Sequence, residues 1–512
     1  MDAHGRSAFS IRRNFPLHGF AEDCTGSSEQ TEVAEPRGKA ARVQAAARGL
    51  FNDGFSRAEV WNIALALTAG VALRLLFILV FPDLDGDSDV YATIAKNMLL
   101  HHAYALDDPF RSTLIRLPGY PVFMAMIFLF TGIKNYFAVR YAQAVLDMAS
   151  CVFVALFLRD HAGRRAGLFA LWIACLCPFT ANYVAIPLTE TPEIFAIALG
   201  MFSAGRLIDT INTGVGRKRV WLLITAAALI LAIGFRPDGV LLAAVIVPGI
   251  WWYTRRSNDK AGLRAAAIVA VLAVLPLVPW TIRNERVFHV FQPLAPRSAM
   301  DPNETPLEGF NLWTTTWEAD YVSLGEIWWR GDDLAIDIHL LPSRAFDSPE
   351  EYRETAKLIA DYNDLQTITP QLDARFQALA EQRIRRHPLR QDVELPATRL
   401  VDMWFRPRTD YLEMLPLRWW EWSKHPEGSL IAIVYALLNA LLLAAAAWGF
   451  ARRRVPFRDL LLAYMLLRCI VLWRMPNAEP RYTLECFPMV FVGAAMALSG
   501  NVRKDGERID RG

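Results

Sequence analysis

The chain has 512 residues, of which 54% are hydrophobic and 21% charged, with a formal net charge of only +2. Its apolar residues are concentrated in long runs, which is typical of a polytopic membrane protein and excludes an ordinary soluble enzyme. The nearly balanced charge gives no indication of a nucleic-acid partner. The six cysteines lack metal-ligand spacing, so the sequence predicts neither a zinc site nor a disulfide framework.

Apolar runs of roughly twenty residues are long enough to cross a bilayer core of about 30 Å. About ten such runs begin near Trp61, Tyr136, Ala166, Pro192, Trp221, Gly239, Ala265, Leu430, Leu460 and Leu484. The predicted fold is therefore an all-α polytopic membrane protein with about ten transmembrane helices. Two polar tails, 1–58 and 501–512, flank these helices, and the first lacks a signal-peptide pattern and is predicted to be disordered.

Lys and Arg in the short loops predict the orientation of the chain. Five basic segments share one side of the membrane if the first span runs outward, namely LRDHAGRRAG at 158, GVGRKRV at 214, YTRRSNDKAGLR at 253, ARRRVPFR at 451 and VRKDGERIDRG at 502. Both termini are therefore predicted to be cytoplasmic. Three regions are predicted to face outward. Within the transmembrane module 59–281 these are a first loop at 82–135 and the turns near 188 and 236, and the third is a segment at 282–428, which precedes further helices in 429–500. The segment at 282–428 is long enough for a small soluble domain.

The first outer loop predicts helices that lie along the membrane face. An apolar stripe at helical spacing follows Asp89 and consists of Tyr91, Ile94, Ala95, Met98 and Leu99. After RLPGYP at 116, the apolar run VFMAMIFLFTG is too short to span a bilayer. Both segments therefore predict interfacial helices.

The start of this loop, DLDGDSDVYATI at 83, carries alternating acidic residues. A calcium-binding loop of the EF-hand type requires a glycine at its sixth position and a glutamate at its twelfth, and both are missing whether the loop starts at Asp83 or at Asp85. A simpler interpretation is that Asp87, Ser88 or Asp89 caps the following helix.

Six short motifs occur in order on the predicted outer side. They are Asp-x-x-x-Tyr at Asp87 and Tyr91, RLPGYP at 116, PLTETPE at 187, FRPDG at 235, PWTIRN at 279 and EPRY at 479. In this order the chain, over about 59–500, resembles the membrane-embedded GT-C glycosyltransferases. The likeness is to the bacterial polyprenyl-phosphate-sugar transferases of the dolichyl-phosphate-mannose-protein mannosyltransferase type.

The resemblance implies a GT-C-like bundle whose first outer loop carries the catalytic base, and the matching residue here is Asp87. It also implies that Tyr91 and the turn at 116–121 shape the pocket. The extra acids Asp85 and Asp89 leave the choice between Asp87 and Asp89 open, and Asp89 is a candidate substrate-binding residue. By the same likeness, the donor is a polyprenyl-phosphate-linked sugar, and the acceptor is a lipid, glycan or protein. The membrane is then the bacterial inner membrane, with a periplasmic site.

The chemistry of such a transfer requires a base and cations. A sugar on a polyprenyl phosphate already has a good leaving group, so no general acid is needed. The departing phosphate requires positive charge, and four arginines lie on the predicted outer side against the usual bias: Arg116, Arg236, Arg283 and Arg481. They are candidate substrate-binding residues, and the alternative for each is a cation that snorkels to the interface.

Three further sets of residues carry expectations. Glu190 is a candidate substrate-binding residue, and the alternatives are that it orients the partner of Asp87, binds a divalent metal ion together with Asp87, or caps a helix. Arg74 and Arg468 lie inside apolar runs and are expected to face the bundle or a lipid head group. The aromatic residues of GFNLWTTTWEADY either stack on sugar or pack the core of the outer segment: Trp313, Trp317 and Tyr321.

The sequence thus predicts an integral membrane glycosyltransferase with an outward-facing site and inversion at the anomeric carbon. Two other functions remain open. A lipid or solute transporter would show duplicated halves and ionisable residues near mid-membrane. A glycan polymerase or ligase would use a lipid-pyrophosphate donor and leave a different lipid product.

Overall fold

A computed structural model of the chain describes residues 56–499, apart from 108–109, 297–299, 303, 305–306, 331–333, 413–414 and 416. The predicted tails at 1–58 and 501–512 lie outside these residues, except for the last three positions of the first. Within the described part, the fold is helical, and its two strands are a short antiparallel pair in which Ala105 is opposite Ser112. The all-α prediction is confirmed.

The first half of the described chain contains ten α-helices and both strands. In order these are α1 (Arg57–Val80), α2 (Gly86–Leu100), β1 (Ala105–Leu106), β2 (Arg111–Ser112), α3 (Gly119–Thr131), α4 (Tyr136–Ala162), α5 (Arg164–Cys175), α6 (Pro178–Asn182), α7 (Glu190–Thr213), α8 (Lys218–Phe235), α9 (Val240–Val274) and α10 (Leu277–Phe288). Short 3-10 helices at Tyr183–Ala185 and Pro237–Gly239 precede α7 and α9.

The second half contains a cluster of short helices followed by three apolar ones. In order these are α11 (Glu308–Thr315), α12 (Tyr321–Glu326), α13 (Pro349–Leu365), α14 (Pro370–Arg386), α15 (Leu395–Phe405), α16 (Pro426–Arg452), α17 (Arg458–Trp473) and α18 (Phe487–Ser499). Further short turns are the 3-10 helices Trp328–Arg330, Ile338–Leu340, Ser343–Ala345 and Pro480–Cys486, and a π-helical turn at Arg390–Glu394.

Side chains that satisfy free backbone N–H groups determine where several helices begin. Ser56 and Glu59 form a reciprocal capping box at the start of α1. Asp85 caps α2 by accepting the backbone N–H of Asp87 at 2.9 Å. Ser348 caps α13 by accepting the N–H of Glu351 at 3.2 Å.

Among the residues that the structure describes, seven helices are long and apolar enough to cross a membrane, or eight if α5 and the bent segment Pro178–Ala185 form one span. This number is below the predicted ten for two physical reasons. The run Pro237–Phe288 counts once, although its 52 residues, kinked at Asn258, exceed the length that one span needs. The helix α17 has only 16 residues. The polytopic fold is therefore confirmed, and the exact number of spans is not.

The apolar helices enclose α7 and α18. The helix α7 packs against α4, α8 and α9, whereas α18 packs against α5 and α16. Most of the apolar surface of α7 and α18 is buried, whereas α16 exposes most of its apolar residues. The first loop packs against this bundle, because α2 contacts α3 and α3 contacts α8. On the other face of α3, Met126, Leu129 and Phe130 are exposed, as expected for an interfacial helix.

The buried side chain of Arg74 joins α1 to α4 and α5. Its guanidinium donates twice to Asp147, from Nε at 2.8 Å and from Nη2 at 2.6 Å. It also donates to the carbonyl oxygens of Gly70 and Ala174, each at 3.2 Å, and to that of Cys175. Burial of an arginine in an apolar bundle requires such a full set of acceptors. The expectation that Arg74 faces the bundle is confirmed.

We predict that replacing Asp147 destabilises the bundle strongly. Asp147→Ala leaves Arg74 buried without its counter-charge, which costs about 3 to 5 kcal/mol of unfolding free energy. The thermal unfolding midpoint of the purified protein in detergent should therefore fall.

A matched control is Glu350→Gln, which breaks the ion pair between Glu350 and Arg353. Both side chains of this pair are largely exposed. Exposed pairs contribute about 0 to 1 kcal/mol, so the midpoint should change little. Equal midpoints for the two variants would contradict the stabilising role of the buried pair.

The short helices between α10 and α16 form a hydrophobic core of their own. Trp313 and Trp317 lie at its centre with no exposed surface, and their ring centroids are 5.2 Å apart. Tyr321 is also buried, and its ring packs edge-on against Trp329 at 5.4 Å. These rings are covered by other residues of their own segment and offer no face to a sugar. Of the two alternatives for these aromatic residues, the structure therefore agrees with packing in the core of the outer segment.

Candidate functional site

The carboxylate of Asp87 lies between two arginine side chains. One oxygen, Oδ1, accepts a hydrogen bond from Nη2 of Arg116 at 2.5 Å, and Oδ2 lies 3.8 Å from Nη2 of Arg481. Asp85 fixes the backbone at this point as the cap of α2. The side chain of Asp87 keeps 31% of its surface exposed, so it remains accessible from outside the protein.

These cations determine the acidity of Asp87. Partial burial acts to raise the pKa of its carboxyl group, but Arg116 and Arg481 outweigh that effect and hold the pKa below its usual range. Asp87 is therefore ionised at neutral pH.

Arg481, in the 3-10 helix Pro480–Cys486, contacts several acidic and hydroxyl groups. Its Nε lies 2.5 Å from Oε2 of Glu479 and 3.7 Å from Oε1 of Glu190, as ion-pair distances. Its Nη1 donates to the hydroxyl of Tyr411 at 3.3 Å and lies 3.9 Å from Oδ2 of Asp85. One guanidinium thus connects the first loop, the start of α7, the segment before α16 and the turn before α18.

The turn RLPGYP places Arg116 against α2. The guanidinium of Arg116 lies over the ring of Tyr91, 5.6 Å from its centroid, and Tyr91 packs edge-on against Tyr120 at 4.9 Å. A side chain at Gly119 would bring its Cβ within 2.4 Å of the carbonyl oxygen of Gly234 in α8. Glycine is therefore required for this close approach. Burial raises the pKa of Tyr91, which keeps its phenol neutral.

A second layer of charges lies beneath the first. Glu190, the first residue of α7, is buried and accepts a hydrogen bond from Nη1 of Arg236 at 3.1 Å. Nε of Arg236 lies 3.2 Å from both Asp238 and Glu485. The same two carboxylates contact Arg468, which confirms that Arg468 faces the bundle. Glu190 thus links Arg236 in this layer to Arg481 above it.

Two predicted site residues lie outside this cluster. Asp89 accepts hydrogen bonds from Lys134 at 2.6 Å and from the hydroxyl of Tyr136 at 3.0 Å. Its pKa is lowered, chiefly by the hydrogen bond from Lys134. Arg283 donates to the carbonyl oxygens of Thr113 at 2.7 Å and Tyr104 at 3.1 Å. The structure therefore brings together Asp87, Tyr91, Arg116, Glu190, Arg236 and Arg481, and leaves Asp89 and Arg283 aside.

Sequence reasoning missed three residues of the cluster. Glu479 lies in the EPRY motif but was not identified as a candidate, although it directly precedes the Pro-Arg pair. Glu485 follows four residues after Arg481, and no feature of the sequence marks it. Tyr411 is 326 residues away from Asp85, which its hydroxyl contacts. No periodicity or spacing could have revealed that contact.

The structure provides no support for a metal site at Asp87 and Glu190. Among the described residues, no group of three or more His, Cys, Asp or Glu side chains is arranged to hold a metal ion. Asp87 and Glu190 instead both face Arg481, at 3.8 and 3.7 Å. Oδ2 of Asp87 and Oε1 of Glu190 therefore already face a cation of the protein, whereas the buried Oε2 of Glu190 accepts no hydrogen bond from the described residues.

No protein-family model and no curated protein matches the chain. Among solved structures, the oligosaccharyltransferase of Archaeoglobus fulgidus in complex with Zn and sulfate matches at a TM-score of 0.47 and 14% identity, over 86% of this chain and 48% of that chain. The archaeal oligosaccharyltransferase AglB, with an inhibitory peptide and a dolichol-phosphate, matches at 0.46 and 13%, over 86% and 50%. ArnT from Cupriavidus metallidurans, bound to undecaprenyl phosphate, matches at 0.34 and 13%, over 85% and 77%.

Two of these three matches are oligosaccharyltransferase structures, and two of the three contain a polyprenyl phosphate. This chain spans about half the length of the oligosaccharyltransferase chains, at 48% and 50%. With TM-scores below 0.5, these matches assign no activity to this chain.

Proposed function

We propose that the protein is an integral membrane glycosyltransferase of the GT-C type, which transfers a sugar from a polyprenyl phosphate to an acceptor hydroxyl. The observation that supports this most directly is the position of Asp87. It is an accessible carboxylate held between Arg116 and Arg481 at the start of a helix of the first loop. A base beside two cations is the arrangement that such a transfer requires.

The proposed reaction is a single displacement. Asp87 takes the proton of the acceptor hydroxyl while the acceptor oxygen bonds to the anomeric carbon. The bond from that carbon to the phosphate oxygen breaks, and its electron pair leaves with the polyprenyl phosphate. A positioned base contributes about 10²- to 10⁴-fold to such a rate. Displacement from the opposite face inverts the configuration at the anomeric carbon.

The four candidate arginines divide into different roles. Arg116 and Arg481 lie at the carboxylate of Asp87 and are proposed to bind the departing phosphate. Arg236 lies in the layer below, where it contacts Glu190, Asp238 and Glu485. It is proposed to hold Glu190 in place. Arg283 supports the first loop by donating hydrogen bonds to two backbone carbonyl oxygens of that loop.

Donor binding is proposed to activate the base. Before the donor binds, Arg116 and Arg481 stabilise the ionised form of Asp87 and make it a weak base. A donor phosphate adds negative charge and draws hydrogen bonds from the same two guanidinium groups. The pKa of Asp87 then rises, so the carboxylate becomes a stronger base only when the sugar is in place.

The proposed location is a bacterial inner membrane, with both termini cytoplasmic and the site periplasmic. The five basic segments on the opposite side from the motifs support this orientation. The acceptor is a lipid, glycan or protein that presents a hydroxyl group at that face.

We predict that Asp87→Asn abolishes sugar transfer, because the amide cannot take the acceptor proton. The matched control is Asp89→Asn, the same substitution two residues later in the first turn of α2. Asp89 binds Lys134 and Tyr136 instead of the arginines, so this variant should keep most of its activity. Transfer of label from donor to acceptor by both purified variants measures the difference.

Folding is checked by the thermal unfolding midpoint, which should stay close to the wild-type value for both variants. An active Asp87→Asn variant beside an inactive Asp89→Asn variant would show that the base is Asp89 and that Asp87 is misassigned.

We predict two different acidic limbs in the pH dependence of transfer. Asp87 must be ionised to act, so activity is lost as the pH falls through its pKa. The limb of kcat/KM for the donor reports the free enzyme, where the arginines lower that pKa. The limb of kcat reports the donor-bound enzyme, and it should lie at higher pH.

The control for this shift is Lys134→Met, which removes the cation beside Asp89 and should leave both limbs in place. Coincident limbs in the wild-type enzyme would contradict activation of the base by the donor.

A further inference from the structure

The segment between α15 and α16 sends one side chain into the candidate site. The hydroxyl of Tyr411 donates to Oδ2 of Asp85 at 2.7 Å and accepts from Nη1 of Arg481 at 3.3 Å. Its ring is buried and packs edge-on against Tyr183, with centroids 5.4 Å apart. The hydroxyl thus lies between an acid of the first loop and the arginine that faces Asp87.

Tyr411, Asp85, Asp87 and Arg481 form a closed ring of contacts that includes the proposed base. Asp85 accepts the hydroxyl of Tyr411 on one oxygen and the backbone N–H of Asp87 on the other, the latter at 2.9 Å. Arg481 contacts the same hydroxyl through Nη1 and faces the carboxylate of Asp87 through Nη2. Asp85 and Asp87 belong to the first loop, and Arg481 belongs to the turn before α18. Tyr411 is the member of this ring that comes from the segment between α15 and α16.

The neighbouring residue Arg408 holds Tyr411 and Arg481 in register. Its guanidinium is buried and donates to the carbonyl oxygen of Pro480 at 2.8 Å and to Oγ1 of Thr483 at 2.5 Å. Both acceptors belong to the 3-10 helix that carries Arg481. The stretch that supplies Tyr411 is therefore attached directly to the turn that supplies Arg481.

We propose that Tyr411 is a positioning residue of the transfer reaction, which acts through Asp85 and Arg481 to keep the carboxylate of Asp87 against Arg481. This inference rests on the proposed function. Without the hydroxyl, Asp85 and Arg481 face each other directly, with Nη1 and Oδ2 only 3.9 Å apart. Opposite charges at that distance attract, so Arg481 moves toward Asp85 and away from Asp87. The base and the phosphate-binding cation then lose their relative placement.

The first test is Tyr411→Phe, which removes the hydroxyl and keeps the ring that packs on Tyr183. A misplaced base and cation affect the transition state more than donor binding, so kcat should fall roughly tenfold or more. The donor KM should change much less. The matched control is Tyr362→Phe, which also removes a buried hydroxyl, one that donates to the carbonyl oxygen of Leu334 at 2.8 Å. That control should keep the wild-type kcat.

The second test is a double-mutant cycle with Asp85→Asn, since asparagine still caps a helix. If Tyr411 acts through Asp85, then Tyr411→Phe adds little to the loss that Asp85→Asn already causes. A merely structural tyrosine would lower kcat by the same factor in both backgrounds.

The outcomes separate this inference from the proposed function. A wild-type kcat for Tyr411→Phe, or additive losses in the cycle, would overturn the role of Tyr411 while transfer by the wild-type enzyme still stands. A wild-type protein that transfers no sugar from any polyprenyl-phosphate donor would overturn both.

Discussion

The burial of Arg481 is the constraint on which the site depends. Its side chain is only 11% exposed, and a guanidinium in such a place must be surrounded by acceptors to offset its lost hydration. The acceptors come from Glu479, Glu190, Tyr411 and the two acids of the first loop. Distant parts of the chain are therefore held together at this one charge, and the carboxylate of Asp87 is held with them.

Ionisable groups continue from this point into the bundle. Glu190 joins Arg481 to Arg236, and Arg236 shares its carboxylates with Arg468. Groups that are so expensive to bury mark a functional region in a membrane protein, in a transporter as much as in an enzyme. The arrangement of these groups favours an enzyme. At the accessible end of the network a carboxylate lies beside two cations, whereas the buried arginines and carboxylates pair with one another.

The sequence was sufficient for the helical fold and for the residues that lie in ordered motifs. Asp87 and Arg116 are only 29 residues apart, and the ordered motifs that carry the family resemblance mark both. The sequence leaves Asp87 and Asp89 open, because two acids in one helical turn look alike until their partners are known. The structure gives Asp87 two arginine partners and Asp89 a lysine and a tyrosine, which supports Asp87 as the proposed base. Tyr411 and Glu485 were missed because tertiary contacts alone bring them to the site. The aromatic pattern at Trp313 and Trp317 was compatible with sugar stacking or with core packing, and their full burial agrees with core packing.

The measurement that tests the central claim most directly is a donor screen with the purified wild-type protein. A panel of radiolabelled polyprenyl-phosphate sugars is supplied with a bacterial membrane extract as the source of acceptors, and both products are analysed. We predict that label from one donor moves to an acceptor while the matching polyprenyl monophosphate is released in equal amount. Tight binding of a lipid or solute without transfer from any donor would contradict this claim and indicate a transporter.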